Sequence, residues 1–271
     1  MIHCLELNKS FATKQDMFKE LAENSKDIIN LKKVAVQKSA DKGQLSTFSL
    51  FKVTEETKSL LGLKEDYIYP VINTTKYMDS HGDVHMDGIW NKSLQEQKGQ
   101  IYYVADHELK TTSVIAFPSD VNAFVKEVPW SFVGKEFEGN TQALIYEIPK
   151  SAIRLLAAKD IIEQKQPVQN SVRMQYVRIK LALDSTEKEH AEFKSNFDNY
   201  LDTIANKEYA KEQGYFWIVD EAKISKEGSM VLFGSNDATP IQYSEAANKS
   251  TSEQEPPKES TQQPKKCITF I

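Results

Sequence analysis

The alternating residues between Val172 and Leu183 constrain the fold more than any other stretch of the sequence. Apolar residues alternate there with charged ones, at Val177, Ile179, Leu181 and Leu183 against Arg178 and Lys180. A period of two is that of a β-strand with one buried face. Continued backwards, the alternation puts Ser171 on the face of Val177, so its hydroxyl would lie at the mouth of the buried face. A β-bulge within the strand would change this assignment.

The other periodicities predict helices interleaved with strands. Helices are expected from Thr13 to Glu23, after Thr54 up to Gly62, from Asp87 to Lys98, after Asp120, over residues 149–160, and after Thr186 up to Gly214. Strands are expected over residues 67–77, 101–104, 142–148, 215–219 and 230–233. Both element types in one chain predict the α+β class.

Composition divides the chain into three parts. Residues 1–46 are predicted to be an N-terminal helical appendage and linker, and residues 47–243 the main domain. In residues 244–271, Ser, Thr, Gln, Glu, Lys and Pro dominate. Such a segment buries too little apolar surface to offset its ordering entropy, so we expect a disordered polar tail. The apolar cluster that ends it, residues 268–271, is either a frayed end, which we favour, or a docking peptide.

Charge and composition exclude several classes of protein. A net charge of −5 over 271 residues favours neither nucleic acid nor an anionic membrane as the main partner. The sequence has no apolar run near eighteen residues and no signal-peptide core, so neither a membrane span nor secretion is expected. Its two cysteines, Cys4 and Cys267, fit free thiols in a reducing cytoplasm. No glycine-rich phosphate loop is present, and no cofactor is expected.

Two polar residues at predicted strand ends could carry nucleophilic chemistry. His107 follows the strand at 101–104, and Ser171 begins the alternating strand. A serine hydroxyl is a poor nucleophile until a base takes its proton, and an imidazole is the usual base. The two need only meet in space, so their distance along the chain is no objection. Taken alone, the pair is better explained as a loop histidine and a strand-start hydroxyl.

Four segments strengthen the catalytic interpretation of His107 and Ser171, because they occur in one order along the chain. They are residues 79–90 around Gly82-Asp83, Asp106-His107-Glu108-Leu109, residues 170–176 around Ser171, and residues 227–236, which begin Glu-Gly-Ser-Met-Val. The ordered set resembles the strand–turn–helix, His, Ser and closing Glu-x-Ser-x-Val segments of tailed-phage prohead (capsid maturation) serine proteases. The resemblance covers roughly Val71 to Asn236.

The resemblance implies a serine endopeptidase whose catalytic residues include His107 and Ser171. Its protease domain would be residues 47–243, with an antiparallel β-barrel core surrounded by helices, as in herpesvirus assemblin. Substrates would be phage scaffold and major capsid proteins, and the enzyme itself, inside the assembling prohead in the host cytoplasm. A homodimer is compatible with this reading, whereas nucleic acid and membrane are not expected partners.

A third group should orient His107 and stabilise the imidazolium. Glu227 is our candidate, because it opens the closing segment next to a predicted strand; an exposed hairpin glutamate is an equally good interpretation. Glu221 on the preceding strand is a rival. The herpesvirus relatives use a second histidine, but His190 falls in the first turns of a helix, away from the stripe of Phe193, and is expected to be solvated. Backbone N–H groups after Ser171, and Arg173 through a water, are candidate oxyanion donors.

Two alternatives remain open. His81 and His85, with Asp83 between them and Asp87 beyond, could bind a metal with His107 or a carboxylate as a further ligand, but their i, i+4 spacing suits zinc only on a helix. We therefore expect no metal. The chain could also be a catalytically inactive scaffold or capsid-assembly protein with a protease fold. Arg173, where relatives commonly have glycine, keeps that second alternative open.

Overall fold

The computed structural model describes residues 1–35, 59 and 62–243, and the following statements concern these residues. They contain six α-helices: α1 Lys14–Glu23, α2 Ser25–Val34, α3 Asn91–Glu96, α4 Leu156–Glu163, α5 Ala191–Leu201 and α6 Lys207–Gln213. They also contain eleven strands: β1 Ile2–Cys4, β2 Lys9–Phe11, β3 Tyr67–Thr74, β4 Asp83–His85, β5 Tyr102–Ala105, β6 Val114–Ala116, β7 Asn122–Pro129, β8 Asn140–Pro149, β9 Gln169–Leu183, β10 Tyr215–Val231 and β11 Ile241–Tyr243. The α+β class is confirmed.

The long strand β10 organises the largest sheet. One of its edges pairs with β9 in antiparallel fashion along nearly the whole length. The other edge pairs with two short parallel strands in succession, first β4 and then β5, and β6 extends the sheet beyond β5. The carboxyl-terminal half of β10 therefore lies between the start of β9 and the end of β5. These are the two places where the sequence puts Ser171 and His107.

A second sheet is antiparallel throughout, in the order β11–β3–β8–β7. Its buried residues pack with those of the β10 sheet in one large apolar cluster, which includes Leu144, Tyr146, Val172 and Trp217. A two-stranded sheet, β1–β2, completes the described strands. The expected closed β-barrel is not found among the described residues, because these strands form separate sheets. None of the helices in the described ranges is long and apolar enough to span a bilayer.

The strand β9 corrects the parity expected for Ser171. Val172, Met174 and Tyr176 are buried, and so are Ile179, Leu181 and Leu183, whereas Val177 is 42% exposed. The register shifts opposite Asp220, between the pairs Tyr176↔Ala222 and Ile179↔Val219, so a bulge inverts the alternation. Ser171 thus faces away from Val172 and Met174, on the opposite side of the strand from the face we expected.

Several helix predictions are also corrected. The helix expected after Asp120 is the strand β7, which pairs with β8 over eight residues. Its apolar residues fit a helical spacing, but pairing with a neighbouring strand overrides that local pattern. The helix from Asp87 is shorter and begins at Asn91, and the long helix after Thr186 is divided into α5 and α6. Gly214 ends α6 with φ +76°, as expected.

The N-terminal residues 1–35 pack against β9 and the first half of β10. As predicted, Thr13 caps α1 by accepting the Asp16 N–H at 3.2 Å. Glu6 accepts hydrogen bonds from Tyr215 Oη at 2.9 Å and from Trp217 Nε1 at 2.6 Å. Apolar side chains of α1, among them Phe18, join the main core cluster. The helix expected after Thr54 and the tail from Ser244 lie outside the described residues, apart from isolated positions near Gly62.

Candidate active site

A tight turn after β5 carries His107. Asp106 and His107 both have left-handed backbone angles, with φ +51° and +55°. Asp and His are among the residues that enter this region most readily, although each such residue still costs about 1 kcal/mol or more. Hydrogen bonds hold the turn, since the Asp106 N–H donates to Met230 O at 2.9 Å and the Glu108 N–H to Ala105 O at 3.0 Å.

Ser229 anchors this turn to the middle of the sheet. Its Oγ accepts the His107 backbone N–H at 2.8 Å and donates to Val104 O at 3.2 Å. Ser229 is fully buried on β10, directly between β5 and β9. This role was not predicted from the sequence. The available signal was that Ser229 lies two residues after Glu227, on the same face of a strand.

Glu227 orients the imidazole of His107. Nδ1 of His107 lies 2.8 Å from Oε1 of Glu227, and the two side chains are 4% and 0% exposed. A carboxylate can only accept a hydrogen bond, so Nδ1 carries the proton. Nε2 is then the ring nitrogen that can take a proton from another group. A buried carboxylate that fixes a histidine tautomer in this way is what base catalysis by histidine requires.

An irregularity in β10 sets the position of Glu227. The register pairs Ile224 with Met174 and Gly228 with Val172, so residues 225–227 stand opposite Arg173 alone. Gly228 has no room for a side chain, because a Cβ there would lie 2.7 Å from Tyr146 Cε2. Burial, and next the charge of Glu227, raise the pKa of Tyr146 well above its usual value. The Tyr146 ring thus packs against the backbone of β10 next to Glu227.

Ser171 lies on β9, on the side of β10 opposite to the turn that carries His107. It is directly opposite Ser229 in the antiparallel register, and directly opposed residues project from the same face of a sheet. Ser229 and Glu227 are two residues apart, so Ser171 shares its face with both. Its side chain makes no hydrogen bond within the described part of the chain, and it is 7% exposed. Ser229 is therefore a neighbour of Ser171 on one side and of His107 on the other.

The two rivals of Glu227 lie elsewhere. Glu221 forms ion pairs with Lys92 at 3.5 Å and Arg178 at 3.4 Å. His190 is buried rather than solvated, and its Nδ1 lies 2.8 Å from Ser185 Oγ. This corrects our expectation for His190, because the residue lies in a short 3₁₀ turn before α5, not on an exposed helix face. Neither rival is hydrogen-bonded to His107.

The histidines of the possible metal site are separated in the structure. His85 is buried and bonds through Nδ1 to Asn73 Nδ2 at 2.9 Å. His81 remains near Asp79 and Asp83, and these three offer donor atoms within 4.8 Å of one another. However, Lys32 Nζ lies 2.6 Å from Asp83 Oδ1, so the protein itself supplies a cation there. Asp87 pairs instead with Lys76.

Comparisons of the chain with protein-family models, with curated proteins and with solved structures found no match.

Proposed function

We propose that this protein is a serine endopeptidase of the prohead type, in which Ser171 is the nucleophile, His107 the base and Glu227 the orienting carboxylate. The observation that carries the proposal is the buried 2.8 Å contact between His107 Nδ1 and Glu227 Oε1. It joins two residues 120 positions apart that the sequence motifs had paired with one another. Such a carboxylate–imidazole pair can activate the hydroxyl of a serine that comes within reach of its Nε2.

In the proposed reaction, His107 Nε2 accepts the Ser171 proton as Oγ attacks the scissile carbonyl. The imidazolium that forms is stabilised by Glu227, and it then returns the proton to the leaving amine. Water hydrolyses the acyl-enzyme by the same proton transfers. By the resemblance, the substrates are phage scaffold and capsid proteins, and the chain itself, within an assemblin-like domain inside an assembling prohead.

One observation favours the non-enzymatic alternative, a protease fold that serves as a scaffold or capsid-assembly module. No hydrogen bond joins Ser171 to His107 in the described residues. In serine proteases such bonds are often long before substrate binds and tighten in the complex.

Incubation of the purified chain distinguishes the two proposals. We expect new chain termini, identified by mass spectrometry, that are absent from Ser171→Ala and from His107→Ala. The matched control Ser195→Ala, in the exposed part of α5, should behave as wild type. Incubation with a co-expressed capsid protein extends the assay to cleavage in trans. Identical termini in wild type and Ser171→Ala would overturn the enzymatic proposal.

A further inference from the structure

Arg173 is the charged residue nearest to Ser171 along β9. The two are separated by one residue, so their side chains leave the same face of the strand about 6.6 Å apart, twice the rise per residue. The intervening Val172 is buried in the core on the other face. Arg173 also stands opposite the irregular residues 225–227 of β10, which end in Glu227. It therefore borders the candidate site directly.

The guanidinium of Arg173 has unused hydrogen-bonding capacity. Its Nε is buried and has no hydrogen-bond partner within the described residues. The chain has two other arginines, and both approach carboxylates, Arg154 at 4.0 Å from Asp120 and Arg178 at 3.4 Å from Glu221. Arg173 has no carboxylate within 4 Å in the described part of the chain. A buried donor without an acceptor costs free energy, so a ligand that supplies the acceptor gains that energy.

One oxygen of the nearest carboxylate along the facing strand is already used. Glu227 directs Oε1 to His107 Nδ1 and forms no ion pair with Arg173. The other oxygen of Glu227, Oε2, is buried without a hydrogen-bond partner among the described residues, and no ion pair joins it to Arg173 either. The charge of Arg173 is thus left for a group from outside the chain. A guanidinium presents a planar fork of donors that matches a carboxylate in bidentate geometry.

We infer that Arg173 forms a carboxylate-binding subsite for an aspartate or glutamate side chain of the substrate, within two residues of the scissile bond. This inference rests on the proposed function, because the position of the scissile bond is taken from Ser171. An extended peptide advances about 3.3 Å per residue. An acidic side chain one or two residues from the carbonyl at Ser171 therefore reaches the position of Arg173.

Binding and cleavage are tested separately. Binding is measured by fluorescence anisotropy on the full chain carrying Ser171→Ala, with pools of extended nonapeptides whose central residue is Glu, Gln or Lys. We expect the Glu pool to bind about tenfold more tightly than the isosteric Gln pool, the ratio expected for one charge-assisted pair. Adding Arg173→Gln should remove the difference, and Arg173→Glu should favour the Lys pool. The control Arg178→Gln on the same strand should keep the wild-type ratio.

Cleavage of the same pools by the chain with Ser171 intact tests the protease proposal on its own. Equal binding of Glu and Gln pools, or a preference that survives Arg173→Gln in a chain with wild-type melting temperature, overturns the subsite. A uniform loss of kcat across all pools in Arg173→Gln, with KM unchanged, also overturns it and assigns Arg173 to the oxyanion. Discrimination in binding without any cleavage retains the subsite and refutes the protease.

Discussion

His107 Nδ1 and Glu227 Oε1 lie 2.8 Å apart, with both side chains buried, although 120 residues separate them along the chain. The contact exists because the short strand β5 and the last part of β10 are parallel neighbours, and because Ser229 fixes the turn that follows β5. The candidate site is thus formed at the junction of three strands.

Glu227→Gln is expected to lower kcat by about 10³- to 10⁴-fold while the fold persists. A neutral amide cannot stabilise the imidazolium, and it can impose the wrong tautomer on His107. Cleavage rates and far-UV circular dichroism, measured in parallel, check this. The controls Glu221→Gln and His190→Ala should retain activity near wild type, although loss of the buried His190 should lower the melting temperature. A large loss of kcat in His190→Ala, together with a wild-type kcat in Glu227→Gln, would show that a second histidine and not Glu227 orients His107.

Lys32→Met is expected to destabilise the protein by about 3–5 kcal/mol, because it leaves the fully buried Asp83 without its ammonium partner. Tyr176 Oη also donates to Asp83, at 2.7 Å, but it carries no charge. The free energy of unfolding in urea measures the loss. Adding Asp83→Asn removes the unpaired charge and should recover much of the stability. A double variant as unstable as Lys32→Met would contradict the ion-pair explanation.

Stability should fall as the pH drops below about 6.5, the ordinary pKa of histidine. Burial lowers the pKa of His85, against the opposing charges of Asp79 and Asp83. The Asn73 amide, oriented by Trp90 Nε1 at 3.2 Å, presents Nδ2 to His85 Nδ1, which must then be unprotonated. As the pH falls, His85 therefore binds its proton in the unfolded chain first. Its contribution to the free energy of unfolding is lost as the pH falls from the pKa of the unfolded chain toward that of the folded protein.

Urea unfolding between pH 7 and pH 5 measures this loss. The variant His85→Gln cannot titrate at this position, so its stability should change less over the interval than that of wild type. Equal pH slopes in the two proteins would show that His85 is not the group responsible.

Gly228→Ala should destabilise the protein by about 1–3 kcal/mol, the usual cost of inserting a methyl group into a packed core. The new Cβ would lie 2.7 Å from the ring of Tyr146. Tyr146→Leu removes the obstructing ring edge, so the double variant should lose less than the sum of the single variants. Additive losses in urea unfolding would show that the two positions are not in conflict.

The sequence predicted local features of this fold better than it predicted the pairings. The Thr13 cap could be predicted because its hydrogen bond joins residues only three apart. The helix end at Gly214 depends only on the left-handed backbone angle of that glycine, so it is equally local. Residues 122–129 carry apolar spacing compatible with a helix, and only the neighbour β8 makes them a strand. Likewise, the bulge that exposes Val177 depends on the register with β10, which no period within β9 reveals.

For the candidate site, the order of the motifs predicted both His107 and Glu227 as catalytic residues, but it could not predict the contact between them. Ser229 belongs to the closing motif, but its anchoring role requires the turn after β5 to lie against β10, which the motif does not reveal. The closed barrel was expected from the resemblance alone, and the described strands form separate sheets. Long-range strand pairing thus accounts for most of what the sequence did not predict.

The catalytic roles of Ser171 and His107 are tested most directly by the rate at which a fluorophosphonate probe modifies Ser171, followed by peptide mass mapping. We expect Ser171 to be the modified serine and His107→Ala to lower the rate by at least about 100-fold, the lower range for a general base. Modification of another serine while Ser171 stays intact, or a rate at Ser171 that His107→Ala leaves unchanged, would contradict these roles.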